Sequence, residues 1–166
     1  MNKLVPEVLP GITVDKRTVG FVNAIFSRIP DCWERVVPDG IKVVSSNRGL
    51  AFLQIPRGVC APGADYVEAQ AILVDETIFV RFNGGDTKIF QYELLCVLAW
   101  SLCIDAKFIN CLNQCVPNTD SMQNTERFVR AFPFFIGKIS RESLRVKNSK
   151  LYDCMRLLEE KVKKIF

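Results

Sequence analysis

Apolar residues recur along this chain at two different periods, and the alternation between them marks out helical and extended stretches. Val19, Val22, Ile25, Phe26 and Ile29 fall at helical intervals after the cap candidates Asp15 and Thr18, and Pro30 stops the pattern. Residues 41–45, 51–55, 69–74 and 77–82 are short, rich in Val, Ile and Phe, and separated by Asn-Arg-Gly, Pro-Gly and Asp-Glu turn signals. They predict a small, mostly antiparallel sheet, with 77–82 at its edge.

Asn83-Gly84-Gly85-Asp86 breaks the last strand, after which Asp86 or Thr87 can cap a long helix over about residues 88–106. Leu94, Leu95, Val97, Leu98, Trp100, Leu102 and Ile104 make it apolar almost all round, the pattern of a central, buried helix. Tyr92, Cys96, Ala99 and Cys103 share one of its faces. A loop is expected over 117–121, then a helix capped by Asn124 or Thr125 that carries Glu126, Phe128, Phe132 and Phe135 and is kinked or ended by Pro133. Asn148 or Ser149 caps a last helix with an amphipathic stripe at Leu151, Met155, Leu158, Val162 and Ile165. No repeat, low-complexity tract or linker divides the chain, so residues 1–166 are expected to form a single α+β domain, with 1–14 as an N-terminal extension.

Composition agrees with a packed domain: 166 residues, 49% hydrophobic and 24% charged, is a balance that can bury a core. The net charge of +4 is uneven, because residues 138–166 hold nine Lys/Arg against four Asp/Glu, leaving about −1 for the rest. Those charges are interleaved with apolar residues at helical spacing and lack interleaved aromatics, so a solvated helix face is expected there rather than a nucleic-acid surface. No apolar run is long enough to cross a bilayer, and the first ten residues lack the segments of a secretory signal. A soluble, cytoplasmic protein without membrane contact is expected.

Seven cysteines, with no repeated CxxC spacing, read as mostly buried free thiols in a reducing compartment, although Cys111 and Cys115 remain able to pair. A cysteine on an apolar helix face has its thiol pKa raised, which argues against Cys96 or Cys103 as a nucleophile. Gly84-Gly85 is a turn and not a phosphate loop, because no Gly-Lys-Ser/Thr follows it.

Candidate chemistry centres on Tyr92-Glu93-Leu94-Leu95-Cys96, which stands in the apolar helix where a zinc protease carries His-Glu-x-x-His. In such a protease, imidazoles one turn apart hold Zn²⁺ and the glutamate between them polarises the bound water. Here both ligand positions differ, and the chain contains no histidine. The same five residues would also suit an ordinary core helix.

Downstream, Glu126-Arg127-Phe128-Val129-Arg130-Ala131-Phe132 adds a second feature, as does the run from Leu144 to Tyr152 leading into the final helix. In this order the elements resemble the catalytic domain of the lethal-factor-type zinc metalloproteases, whose third ligand opens a Glu-Phe-Phe-Ala-Glu-Ala-Phe motif. The likeness runs from about residue 16 to 166. It implies a zincin-like fold in which Glu93 is the vestigial general-base position and Tyr92, Cys96 and Glu126 are vestigial ligand positions. The family's helper tyrosine falls on Thr119, and Arg130 replaces the second glutamate of the downstream motif.

A phenol and a lone thiolate beside one carboxylate are poor replacements for two imidazoles, so no bound metal and no cofactor are expected. Arg130, four residues after Glu126, is then the expected partner for the buried carboxylates. These expectations describe a catalytically inactive, metalloprotease-like domain that binds a protein partner through its former cleft (Tyr92, Glu93, Cys96, Glu126 and Arg130) or its edge strand. Such a module would suit regulation of a relative, an effector or toxin, or a virus-encoded interaction protein acting in the host cytoplasm. The alternatives are a hydrolase using Glu93 and Glu126 with an atypical metal site, and a nucleic-acid binder using the basic C-terminal helix.

Overall fold

The computed structural model describes residues 6–8, 16–45, 58–116 and 120–166. Strands β1 (Pro6–Val8), β2 (Lys42–Ser45), β3 (Val59–Cys60), β4 (Ala71–Val74) and β5 (Thr77–Val80) form one sheet in the order β1-β2-β5-β4-β3. The helices are α1 (Lys16–Phe26), α2 (Asp31–Glu34), α3 (Thr87–Leu102), α4 (Ala106–Cys115), α5 (Ser121–Ile136), α6 (Lys138–Lys147) and α7 (Ser149–Ile165).

The sheet is mixed rather than mostly antiparallel. β1 pairs with β2, and β2 with β5, in parallel, whereas β5–β4 and β4–β3 are antiparallel. The parallel β1–β2 pair requires a crossover, and α1 and α2 supply it. One strand of the sheet therefore comes from the segment read as an N-terminal extension. The expected strand at 51–55 and the cap candidate Asp15 lie outside the described residues.

β5 is central and not at an edge, flanked by β2 and β4. Its sequence accounts for this: Ile78 and Val80 are fully buried on one face, and Thr77 and Phe79 are half-buried on the other. A strand covered on both faces suits the middle of a sheet. Asp75 turns the β4–β5 hairpin at φ 52, a left-handed conformation that Asp tolerates better than most side chains. At Gly58 a Cβ would collide with the Leu73 carbonyl oxygen, so the approach to β4 needs glycine there.

α3 lies between this sheet and α5 and is buried nearly all round, from Phe90 to Leu102. The Asp86 carboxylate caps it by accepting from the Lys88 amide at 2.8 Å. The helix is shorter than its apolar run suggests. Asp105 accepts from the Phe108 amide at 3.0 Å and starts α4, whose axis is bent 105° from that of α3. No single helix among the described residues is long and apolar enough to cross a membrane.

α5 begins earlier than expected, on an Asp120 cap that accepts from the Met122 amide at 2.8 Å, and it runs through Pro133 without ending. Beneath it, Trp33 of α2 is buried among Phe108, Phe128, Phe132 and Phe135, with ring centroids 5.4–6.5 Å away. Such edge-on and tilted pairs add to the area that the rings bury. α7 closes this core from outside with Met155, Leu158 and Val162 fully buried, as its sequence stripe predicts.

Candidate binding cleft on the Tyr92–Cys96 helix

Residues four apart on a helix share a face, and on α3 the face of Tyr92 and Cys96 turns toward α5. Cys96 is fully buried, and its thiol donates to the Val129 carbonyl at 3.5 Å. That carbonyl needs a donor from elsewhere. Pro133, four residues later in α5, has no N–H to complete the helical bond. The Tyr92 side chain is near enough to the Cys96 thiol for each to shift the other's ionisation, and the Tyr92 ring lies 6.0 Å from that of Phe134. The two helices thus run antiparallel, with Cys96 against Val129 and Tyr92, one turn back, against Phe134.

Neither group ionises at neutral pH. Burial pushes the Cys96 thiol up to about 12, against the opposing pull of the nearby Tyr92 hydroxyl and the Arg130 charge. Burial, with the nearby Cys96 thiol, likewise pushes the Tyr92 hydroxyl up to about 12. Burial also raises the Cys103 thiol to about 12, against the opposing influence of the nearby Thr125 hydroxyl. The expectation of an unactivated thiol at Cys96 and Cys103 therefore holds.

Glu93 is buried beside them and is held from the sheet side. The Gln70 side-chain amide donates to its Oε2 at 2.8 Å. Gln70 Oε1 accepts from the Asn83 amide at 3.2 Å, and the Gln70 backbone carbonyl accepts from the Arg81 amide at 2.8 Å. Through Gln70, the carboxylate of Glu93 joins α3 to the end of the β4–β5 hairpin. The sequence signal for Gln70 is a lone amide in the otherwise apolar run from Ala69 to Val74.

Glu126 lies on α5 one helical turn before Arg130. The buried positions of α5 include Thr125, Phe128, Val129, Phe132 and Phe135, which leaves Glu126 exposed to solvent. Arg130 is exposed as well, but its charge acts on Tyr92 and Cys96. The expected Arg130–Glu126 ion pair is not among those of the described residues, which join Arg141 and Lys163 to Glu159, Lys163 to Glu160, and Arg145 to Glu142. Two exposed side chains gain too little from pairing to be held together in water. Thr119 lies outside the described residues.

A zincin-like site would require these positions to hold a metal ion, and the side chains present do not fit one. Tyr92 keeps its proton, Cys96 is committed to Val129, and Glu126 points to solvent. Among the described residues no three His, Cys, Asp or Glu side chains converge on one point. Cys111 and Cys115 are both free thiols.

Beside Tyr92, residues of α3, α5 and α6 enclose a pocket of about 240 Å³, lined by Lys88, Tyr92, Leu95, Pro133, Phe134 and Ser140. Its walls are largely apolar, and Lys88 brings a positive charge to the lining. Sequence pattern alone did not indicate it, because Phe134 reads as one more aromatic residue on an aromatic-rich helix.

The fold has a solved counterpart. The chain is similar to the structure of the Pro-Pro endopeptidase from Paenibacillus alvei, with a TM-score of 0.50 and 18% identity over 98% of this chain and 97% of that one. The fold is zincin-like. No protein-family model matches the chain, and no curated protein matches it.

Proposed function

We propose that this protein is a metalloprotease-like domain that works by binding a protein segment in the cleft between α3 and α5, and not by hydrolysis. The observation that supports this most is the engagement of Tyr92 and Cys96. At the second imidazole position Cys96 is fully buried and donates to the Val129 carbonyl, and at the first Tyr92 packs its ring against Phe134, so both side chains are taken up in the α3–α5 packing. The neighbouring glutamate is bound by Gln70, so it serves as a buried link between α3 and the sheet.

Hydrolysis with an atypical metal has less support, because no three His, Cys, Asp or Glu side chains among the described residues converge to hold one. A nucleic-acid surface on α7 has less support for a similar reason. Lys163 faces Glu159 and Glu160 at 3.8 and 3.7 Å, and Lys161 donates to Gln114 at 2.8 Å, so part of the basic charge is already engaged.

The test is hydrolysis of a quenched-fluorescence peptide library by protein purified without chelator, beside the Glu93→Gln variant. Binding without chemistry gives equal background rates for both proteins, with and without EDTA. Turnover by the wild type that disappears in both Glu93→Gln and EDTA would establish the enzyme instead.

A further inference from the structure

The pocket between α3 and α5 has a chemical character of its own. Lys88 and Tyr92 are one turn apart on α3, and Arg130 and Phe134 are one turn apart on α5. Because the helices are antiparallel, the cations bracket the Tyr92–Phe134 ring pair, Lys88 lining the pocket and Arg130 close to Tyr92. Both basic side chains are exposed, and neither has an ion-pair partner among the described residues. Between them Leu95, Pro133 and Phe134 give an apolar wall, and Phe134 is 46% exposed, an unusual position for a large aromatic side chain.

We infer that this pocket docks an acidic peptide segment of a partner protein, one apolar side chain entering between Tyr92 and Phe134 and flanking carboxylates meeting Lys88 and Arg130. The inference rests on the binding role proposed above and adds the chemistry of the partner. A volume of about 240 Å³ is suited to one side chain rather than to a drug-sized ligand. Lys88 in its lining and Arg130 one turn along α5 from Phe134 favour a carboxylate-bearing occupant over a basic or neutral one. Arg130 can also bind a carboxylate in bidentate fashion, which fixes the direction of the bound segment as well as its charge.

The experiment uses the full chain and two fluorescein-labelled probes: a peptide with Asp and Glu around a single Phe, and its counterpart with Lys and Arg around the same Phe. Fluorescence anisotropy at low salt gives affinity, and amide shifts of Lys88, Tyr92 and Phe134 in the ¹⁵N spectrum give location. Saturable binding of the acidic probe at those amides is expected, weakened about tenfold by Arg130→Glu and by Phe134→Ala, with fold retained by circular dichroism. No binding of the acidic probe by the wild type overturns the inference, as does binding unchanged in both variants, which would place the probe on the basic C-terminal helix. If the basic probe is the one that shifts the pocket amides, the cleft still binds peptide while the partner chemistry is wrong, so the two proposals fail separately.

Discussion

The thiol of Cys96 donates to the carbonyl of Val129 across the α3–α5 interface, 3.5 Å away. Pro133 deprives that carbonyl of its helical donor, and the α3 thiol supplies a donor in its place.

Cys96→Ala should therefore cost about 1–3 kcal/mol, the penalty of leaving a buried acceptor unsatisfied. Cys96→Ser, which keeps a donor, should cost less. The loss should also shrink when Pro133→Ala restores an amide to the helix, and urea denaturation of the double-mutant cycle reads this coupling directly. Additive effects would show that the bond contributes nothing.

A second consequence is alkaline instability. Cys96 and Cys103 are raised from an ordinary value of 9.0 to about 12, and Tyr92 from 10.0 to about 12. Above pH 9 the unfolded chain releases these protons before the folded one does, so folding binds protons there and stability declines as pH rises. The contribution is complete below about pH 9 and disappears progressively up to about pH 12. Melting temperatures across this range should fall in the wild type and fall less steeply in Cys96→Ala, which lacks one of the titrating groups.

Gln70 offers a third test. Its amide donates at 2.8 Å to Glu93, and removing a donor from a buried carboxylate costs about 1.5–3 kcal/mol. Gln70→Ala should lose that much by denaturant titration. Glu93→Gln, which keeps an acceptor facing Gln70, should lose less than Glu93→Leu, which leaves the Gln70 amide without a partner.

How much of this was legible beforehand depended on whether local pattern or tertiary pairing decided the outcome. The apolar α3, its cap at Asp86 and the middle of the α7 stripe, Met155, Leu158 and Val162, follow from residues close in sequence, whereas Ile165 at the end of that stripe is exposed. α4 was hidden because its apolar residues continue those of α3; only the Asp105 cap marks the break. The central place of β5 depends on a parallel partner more than thirty residues away, which turn signals do not reveal.

Glu126 is the more instructive case. The motif likeness implies a buried Glu126, but the helical phase set by Phe128, Val129, Phe132 and Phe135 leaves it exposed, and that phase is readable in the sequence. Arg130 faces Tyr92 and Cys96 because it lies at the edge of that buried stripe. Gln70 and Phe134 act through long-range contacts to α3, and no spacing rule could have joined them to it.

Zinc titration by calorimetry, run on the wild type beside Tyr92→His/Cys96→His, tests most directly whether Tyr92 and Cys96 occupy former ligand positions in a domain that no longer holds metal. The wild type should take up no stoichiometric zinc, and the double variant, with the His-Glu-x-x-His spacing restored on α3, should gain a zinc-dependent heat and a higher melting temperature. One tightly bound zinc per wild-type chain would contradict it.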